Sequence, residues 1–277
     1  MRRAACVALV VAVSTSISIS CKRSPKDARE ELAKLGVPFT SEEFIARCGV
    51  GPTTLIETFL VAGADPNVVY TSQHSYTPLI SAASAGRIDI AKQLLKAGAR
   101  VDLVAEDGRT AVDAASENCK KPDMVKFLID QGGRAGENSL LTALWKVEAH
   151  PLDCSHATIG YLLQAGADPN QRDTKGMTAL MVAADRVDAE SVRLLLQYKA
   201  DVNVQAGPYR STALHAACRR SVADRQPSTL AILKDLLRAG ADPNLRDALG
   251  QTALDSLGPP SVTPYLNPLR EAITRPR

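Results

Sequence analysis

The sequence predicts an all-α solenoid, in which helix-turn-helix units stack in one row and short β-hairpin-like turns connect each unit to the next. Two short motifs recur along most of the chain, and a period of a few tens of residues is the signature of a repeat architecture. Apolar residues within each unit recur at helical spacing and do not alternate. Aromatic residues form only 4% of the 277 residues, so the helices are expected to pack closely through small side chains.

The first motif is a turn of the form Gly-Ala-Asp-Pro-Asn, and it closes each unit. Glycine ends a helix readily because it adopts the left-handed conformation, and Asp, Pro and Asn favour the turn that follows. Full or partial copies of this motif begin at Gly63, Gly98, Gly166, Lys199 and Gly240.

The second motif opens each unit with a threonine, whose hydroxyl can cap the unpaired amide groups at a helix N-terminus. Small residues follow, and the second helix then carries an apolar stripe, of which Val192, Leu195 and Leu196 show the helical spacing. Copies of the threonine motif begin at Thr77, Thr110, Thr178, Thr212 and Thr252.

A period near 33 residues that combines these two motifs resembles the ankyrin repeat. The resemblance extends roughly over residues 41–257. It implies five full repeats, at 75–102, 108–134, 136–170, 176–203 and 210–244, between an N-terminal unit (40–67) and a C-terminal cap (250–277). It also implies a non-enzymatic module that binds another protein and uses no cofactor.

Two of these repeats depart from the pattern. In the third, Asn138 stands in the threonine position, and the turn before it, at 132–136, is short. Residues 148–156 are expected to lengthen the loop between the two helices of this repeat. Residues 219–227 are expected to form a similar loop insertion in the fifth repeat.

Residues 1–21 have the features of a secretory signal. Arg2 and Arg3 precede an apolar stretch at 4–13 that is too short for a good membrane span. The segment ends in Ser18-Ile19-Ser20-Cys21, which resembles a bacterial lipobox and implies a lipid on Cys21. Ordinary cleavage nearby, or a short uncleaved anchor, is the alternative. Residues 22–39 are expected to form a charged tether, helical from Pro25 to Leu35, before a repeat domain at 40–277.

These features predict an exported protein of the bacterial cell envelope or periplasm, whose only membrane contact is the lipid. Lys22 after the cysteine favours the outer membrane under the sorting rule for bacterial lipoproteins. The formal charge is +3 and no block of like charges occurs, so nucleic acid is not an expected partner. Charges of both signs are interspersed, which is typical of a solvated surface, and we expect a monomer.

A protein partner is expected on the concave face of the solenoid and at the turn tips, where residue types vary between repeats. Tyrosine and arginine most often carry binding energy at interfaces. For any single tip residue, plain exposure to solvent is the alternative interpretation. The predicted contact residues are Tyr70, His74, Tyr76, Glu106, Arg172, Lys175, Tyr209, Arg210 and Arg246.

The sequence contains no catalytic motif of the nucleophile-elbow, phosphate-loop or zinc-protease type, and we predict no catalytic residue. The repeated aspartates of the first motif occupy equivalent turn positions, which indicates turn formers. Residues 150–156 include His150, Cys154 and His156, but they lack metal-ligand spacing and are interpreted as a polar surface loop without a metal. His215 is expected to bond to its repeat's threonine and to neighbouring backbone.

The remaining cysteines fall into two pairs. Cys48 and Cys218 each lie at the end of a first helix and are expected to be buried apolar residues. Cys119 and Cys154 fall in helix–helix loops of adjacent repeats, and an oxidising envelope permits a disulfide between them. Two reduced thiols are the alternative.

Two functions are compatible with these observations. The protein is either an envelope scaffold that holds a protein partner near the membrane, or a periplasmic inhibitor, such as an immunity protein that blocks a toxin or hydrolase. The sequence does not name the partner in either case.

Overall fold

The computed structural model describes residues 23–71, 75–117, 121–136, 139–145, 152–224, 227–257 and 267–274. The predicted signal segment and Cys21 lie outside these residues. None of the described helices is long and apolar enough to cross a bilayer.

The described chain is a row of antiparallel helix pairs. Helix α1 (Pro25–Lys34) precedes six pairs, and a short hairpin lies between the first two pairs. In chain order the elements are α2 (Ser41–Val50), α3 (Thr53–Val61), β1 (Tyr70–Thr71), β2 (Ser75–Tyr76), α4 (Pro78–Ser84), α5 (Ile88–Lys96), α6 (Ala111–Ser116), α7 (Pro122–Asp130), α8 (Ser139–Trp145), α9 (Leu152–Gln164), α10 (Ala179–Asp185), α11 (Ala189–Gln197), α12 (Ala213–Asp224), α13 (Pro227–Arg238) and α14 (Asn267–Thr274).

The threonines of the second motif cap the first helices, as predicted. The hydroxyl of Thr77 accepts a hydrogen bond from the amide of Ile80 at 3.1 Å, and Thr178 accepts one from Met181 at 3.3 Å. Thr110 forms a complete capping box with Asp113. These bonds satisfy amide groups that have no partner inside the helix.

The turn motif both ends the second helices and joins neighbouring repeats. Its glycines have positive φ, for example +94° at Gly63 and +102° at Gly240. The asparagine at the end of the motif bonds to the next turn: Asn67 Nδ2 donates to the carbonyl of Gly98 at 2.9 Å, and its Oδ1 accepts from the amide of Arg100 at 2.8 Å. Asn203 makes the same pair of bonds to Gly240 and Asp242.

The core is one continuous cluster that runs the length of the row. First helices pack on first helices and second helices on second helices, so each repeat contacts mainly its neighbours. Paired alanines such as Ala183 and Ala184 are fully buried, which permits close approach of the backbones. The apolar stripe of the second helices is buried as predicted, with Val192 and Leu195 both at 0% exposure.

The degenerate third repeat is held to its predecessor by Asp113. One oxygen of this carboxylate accepts from the amide of Gly136 at 3.1 Å and from the hydroxyl of Ser139, while the other accepts from the amide of Thr110 at 2.8 Å. The short turn at 132–136 is therefore bridged by a side chain of the preceding repeat.

The structure differs from the sequence predictions at three places. Helix α1, within the predicted tether, packs against α3 with Ala28 and Leu32 at 0% exposure, so it is part of the solenoid. The predicted loop at 148–156 is helical from Leu152, where α9 begins, and the predicted loop at 219–227 is helical up to Asp224, where α12 ends. Both insertions therefore lengthen helices.

Candidate protein-binding surface

Four of the turn tips are four-residue turns, each closed by a backbone hydrogen bond. The bonds run from the amide of Gly108 to the carbonyl of Ala105 (2.9 Å), and equivalently from Gly176 to Asp173 (2.9 Å), Arg210 to Gly207 (3.1 Å) and Gly250 to Asp247 (3.0 Å). Antiparallel pairing flanks the tips, through β1 and β2 at the first and through single bridges at the last three. The predicted β-hairpin-like turns are thus confirmed.

The structure places most of the predicted contact residues in solvent. Tyr209 is 55% exposed. Glu106, Arg172, Lys175, Arg210 and Arg246 are also exposed.

The first tip is more enclosed. Tyr70 and Tyr76 face each other across the β1–β2 pair, and both are half-buried, with Tyr76 packed against the core. A hydrogen bond to Glu42, and then the charge of Glu42, raise the pKa of Tyr70. His74 lies outside the described residues. The two tyrosines therefore have structural contacts that the sequence analysis did not assign to them.

The last two tips are bonded to each other. The amide of Ala248 donates to the carbonyl of Tyr209 at 2.7 Å. The side-chain amide of Gln205 donates to the carbonyls of Arg246 at 2.6 Å and Arg210 at 3.4 Å. These tips therefore form one continuous edge.

Sequence analysis missed Trp145, the single tryptophan of the chain. Trp145 ends helix α8 and is 47% exposed. It lies seven residues after the capping position of its repeat, where the neighbouring repeats carry Glu117 and Asp185. An ion pair of 2.9 Å joins Arg109, in a tip, to Glu117, so this row of positions lies beneath the tips. The position of Trp145 within its repeat, seven residues after the capping position, would have identified it from the sequence as a member of this row.

The ankyrin-repeat family model, in blocks of three repeat copies, matches residues 44–138 and 152–247. The chain belongs to the ankyrin-repeat family. Ankyrin repeats are protein–protein interaction modules and generally have no enzymatic activity. The exposed edge and the row beneath it are therefore the surface of interest in this ankyrin-repeat protein.

Individual ankyrin-repeat proteins resemble the chain over most of its length. An ankyrin repeat and KH domain-containing protein, mask-1 of Caenorhabditis elegans, is 32% identical over 71% of the chain but 8% of its own length. The crystal structure of the Bcl-3 ankyrin repeat domain has a TM-score of 0.63, with 25% identity over 81% of this chain and 97% of that one. An ankyrin repeat domain from Acinetobacter baumannii AYE has a TM-score of 0.58, with 27% identity over 71% and 95%. The chain spans less than half the length of the curated relatives it matches.

His215 occupies the histidine position of the ankyrin threonine motif, and its contacts are those predicted. Its Nδ1 lies 2.8 Å from the Thr212 hydroxyl, and its Nε2 lies 3.1 Å from the carbonyl oxygen of Gln251 in the next unit. The residue is 1% exposed. It therefore links two units and does not face solvent.

His156 was interpreted as part of a polar surface loop, and that interpretation was wrong. His156 lies in α9, and its Nε2 is 2.7 Å from Asp188 Oδ1 in the next repeat. Asp188 also accepts from the hydroxyl of Ser191 at 2.5 Å and from its amide at 3.1 Å. Serine and histidine thus bind the same carboxylate and not each other, and Ser191 is 0% exposed. This arrangement does not activate a nucleophile, which requires a base bonded to the hydroxyl.

The cysteines behave in two ways. Cys48 and Cys218 are buried thiols, as predicted, and burial raises the pKa of each to about 12. Cys119 lies outside the described residues, and Cys154 lies in α9 and not in a loop. The Cys119–Cys154 disulfide stays a prediction. Within the described ranges, no group of three His, Cys, Asp or Glu residues is placed to hold a metal ion.

Proposed function

We propose that this protein is a non-enzymatic, monomeric interaction module of the bacterial cell envelope. It binds a protein partner through its turn tips and through the face of the first helices beneath them. The observation that carries this proposal is the exposure of Trp145 and Tyr209 on that surface, at 47% and 55%. Large exposed aromatic residues are costly to leave in water and are typical anchors of protein interfaces.

The envelope location rests on residues 1–21, with their basic start, apolar stretch and lipobox-like end at Cys21. A lipid on Cys21 would tether the solenoid to the membrane and leave the tips accessible to a periplasmic partner. Such a tether suits a scaffold. The alternative function is that of an inhibitor or immunity protein, and the identity of the partner decides between the two.

The partner-binding surface is tested by chemical cross-linking and affinity capture from envelope extracts with the full chain. Trp145→Ala and Tyr209→Ala are each expected to reduce recovery of the captured protein, since each removes an exposed anchor. Lys234→Ala is the matched control, because Lys234 is exposed on the second-helix side in α13. Equal recovery with all three variants would place the binding surface elsewhere. A toxic hydrolase among the captured proteins would favour the hypothesis that this protein is an inhibitor.

Lipid attachment is tested by growth with radiolabelled palmitate. The full-length protein is expected to incorporate label and fractionate with membranes, whereas Cys21→Ala is expected to do neither. Cys48→Ala is the control, because Cys48 is buried and cannot take a lipid in the folded state. Equal labelling of wild type and Cys21→Ala would contradict the proposed anchor.

A further inference from the structure

We propose that the last three turn tips form a binding site for an acidic segment of a partner protein that also carries an apolar side chain. This inference rests on the proposed protein-binding function and names the chemical class of the partner. The site, called the basic tip cluster, consists of Arg172, Lys175, Tyr209, Arg210, Arg246 and Leu249.

Charge is distributed unevenly along the tip edge. The turn at 105–109 carries Glu106, Asp107 and Arg109, a net charge of −1, and Arg109 is paired with Glu117. The turns at 172–178, 205–211 and 246–252 carry four cationic and two anionic side chains, a net charge of +2. An acidic segment is therefore attracted to the C-terminal half of the edge and repelled by the turn at 105–109.

The two anionic side chains of these last three turns are engaged within their own turns. Asp173 accepts from the amides of Lys175 and Met177, both at 2.8 Å. Asp247 accepts from two amides of its turn at 2.8 and 3.0 Å. These bonds hold both carboxylates against the backbone, whereas all four cationic side chains are exposed to solvent.

The central members of the cluster are held close together. The Gln205 side chain bonds to the carbonyls of both Arg210 and Arg246, so the two arginine backbones lie side by side. Arg246 Nη1 also donates to the carbonyl of Gly250 at 2.6 Å, which orients its side chain along the turn. Pre-oriented guanidinium groups lose less entropy when they bind a carboxylate.

An apolar contact site lies beside these charges. The carbonyl of Tyr209 accepts a hydrogen bond from the amide of Ala248. Leu249 is the next residue in the chain after Ala248, so this bond brings the backbone of Tyr209 close to Leu249. Leu249 is 70% exposed and Tyr209 is 55% exposed. Solvent exposure of both residues at adjoining tips provides a place for one apolar side chain, flanked by cations that suit neighbouring Asp or Glu residues. A segment with both features is the occupant that this surface fits best.

Arg210 is an unusual residue for its position. The other turns carry Gly108, Gly176 and Gly250 there, with φ of +81°, +77° and +73°. Arg210 has φ of +47°, a left-handed conformation that disfavours any residue with a Cβ. Backbone strain of this kind often marks a residue that is used for binding. It also makes glycine the ideal test substitution.

The test uses a random linear peptide library displayed on phage and selected on the full chain. Enriched peptides are expected to contain several Asp or Glu residues around one apolar residue. Their affinity is expected to fall about tenfold or more in Arg210→Gly and in Arg246→Gln, and to weaken with added salt. Arg210→Gly is expected to melt at the same or a higher temperature than wild type, because glycine removes the strain. Lys234→Ala is the control for loss of a cation elsewhere.

The outcomes separate the two proposals. Enriched peptides that are basic or uncharged, or that bind Arg210→Gly as tightly as wild type, would overturn the acidic-partner inference and leave the protein-binding function standing. Failure to enrich any peptide, together with no captured envelope protein, would overturn both.

A fluorescein-labelled single-stranded oligonucleotide and phosphatidylglycerol vesicles serve as competing probes. Binding of either probe that Arg210→Gly abolishes, without enrichment of acidic peptides, would assign the cluster to phosphates and overturn the inference.

Discussion

Replacing Leu195 by alanine is expected to lower the free energy of unfolding by about 2–5 kcal/mol. Leu195 is 0% exposed in α11, which packs against α10 of its own repeat and against α9 and α13 of the neighbouring repeats. Three surrounding helices cannot all move in to fill the space, so the truncation leaves a cavity in addition to the lost apolar contacts.

The measurement is urea unfolding followed by far-ultraviolet circular dichroism and by the fluorescence of Trp145, which reports on the preceding repeat. Both probes are expected to shift together if the repeats unfold as one unit. Leu249→Ala is the matched control, since Leu249 is 70% exposed at a tip, and it is expected to change stability by less than about 0.5 kcal/mol. Equal stability of the two variants would contradict the packing of α11.

The repeat fold was predictable because its determinants are local. The capping bond of Thr77, the positive φ of Gly63 and the apolar register of Leu195 each follow from a few neighbouring residues. The bonds from Asn67 reach the next turn, 31 and 33 residues along the chain. They are not local, but the asparagine that makes them recurs at Asn170, Asn203 and Asn244. Repetition converts weak local signals into a strong one.

The errors arose where a tertiary contact decides the structure. Residues 152–156 have few apolar side chains and suggested a loop, but α9 includes them and His156 reaches Asp188 in the next repeat. The spacing of Ala28 and Leu32 allowed a packed helix, yet the charge of the segment suggested a tether. The packing of α1 on α3 is a tertiary contact, and the local sequence of α1 does not reveal it.

The candidate binding surface was predictable only in part. The tips follow from the repeat register, so the exposure of Tyr209, Arg210 and Arg246 could be expected from the sequence. The enclosure of Tyr70 and Tyr76 could not, because it depends on the pairing of β1 with β2. The left-handed backbone of Arg210 becomes evident only when the φ angles of equivalent turns are compared. The bonds from Gln205 could not be predicted either, because they join residues of two different repeats.

Replacing Asp188 by asparagine is expected to destabilise the protein by about 1–3 kcal/mol near neutral pH, because it leaves a buried hydrogen-bond donor without its acceptor. Asp188 is 3% exposed and accepts from His156 and from both the amide and hydroxyl of Ser191. Asparagine has nearly the same shape but lacks the charge and one of the two acceptor oxygens. Asp102→Asn, at an exposed position, is the matched control and is expected to change stability little.

Acid is expected to remove the same contribution from the wild-type protein. Burial by itself raises the pKa of Asp188, but hydrogen bonds from His156 and Ser191 and the attraction of His156 together hold that pKa below its ordinary value of 3.8. A carboxyl group whose pKa is lower in the folded state stabilises the fold fully above its unfolded-state pKa, and this stabilisation is lost as the pH falls through the folded-state pKa.

The difference in unfolding free energy between wild type and Asp188→Asn is therefore expected to be full at about pH 5 and to shrink steadily below about pH 4. Urea titrations at each pH measure this difference, and Asp102→Asn should follow the wild type throughout. A difference that is the same at about pH 5 and about pH 2 would show that the charge of Asp188 is not what joins these two repeats.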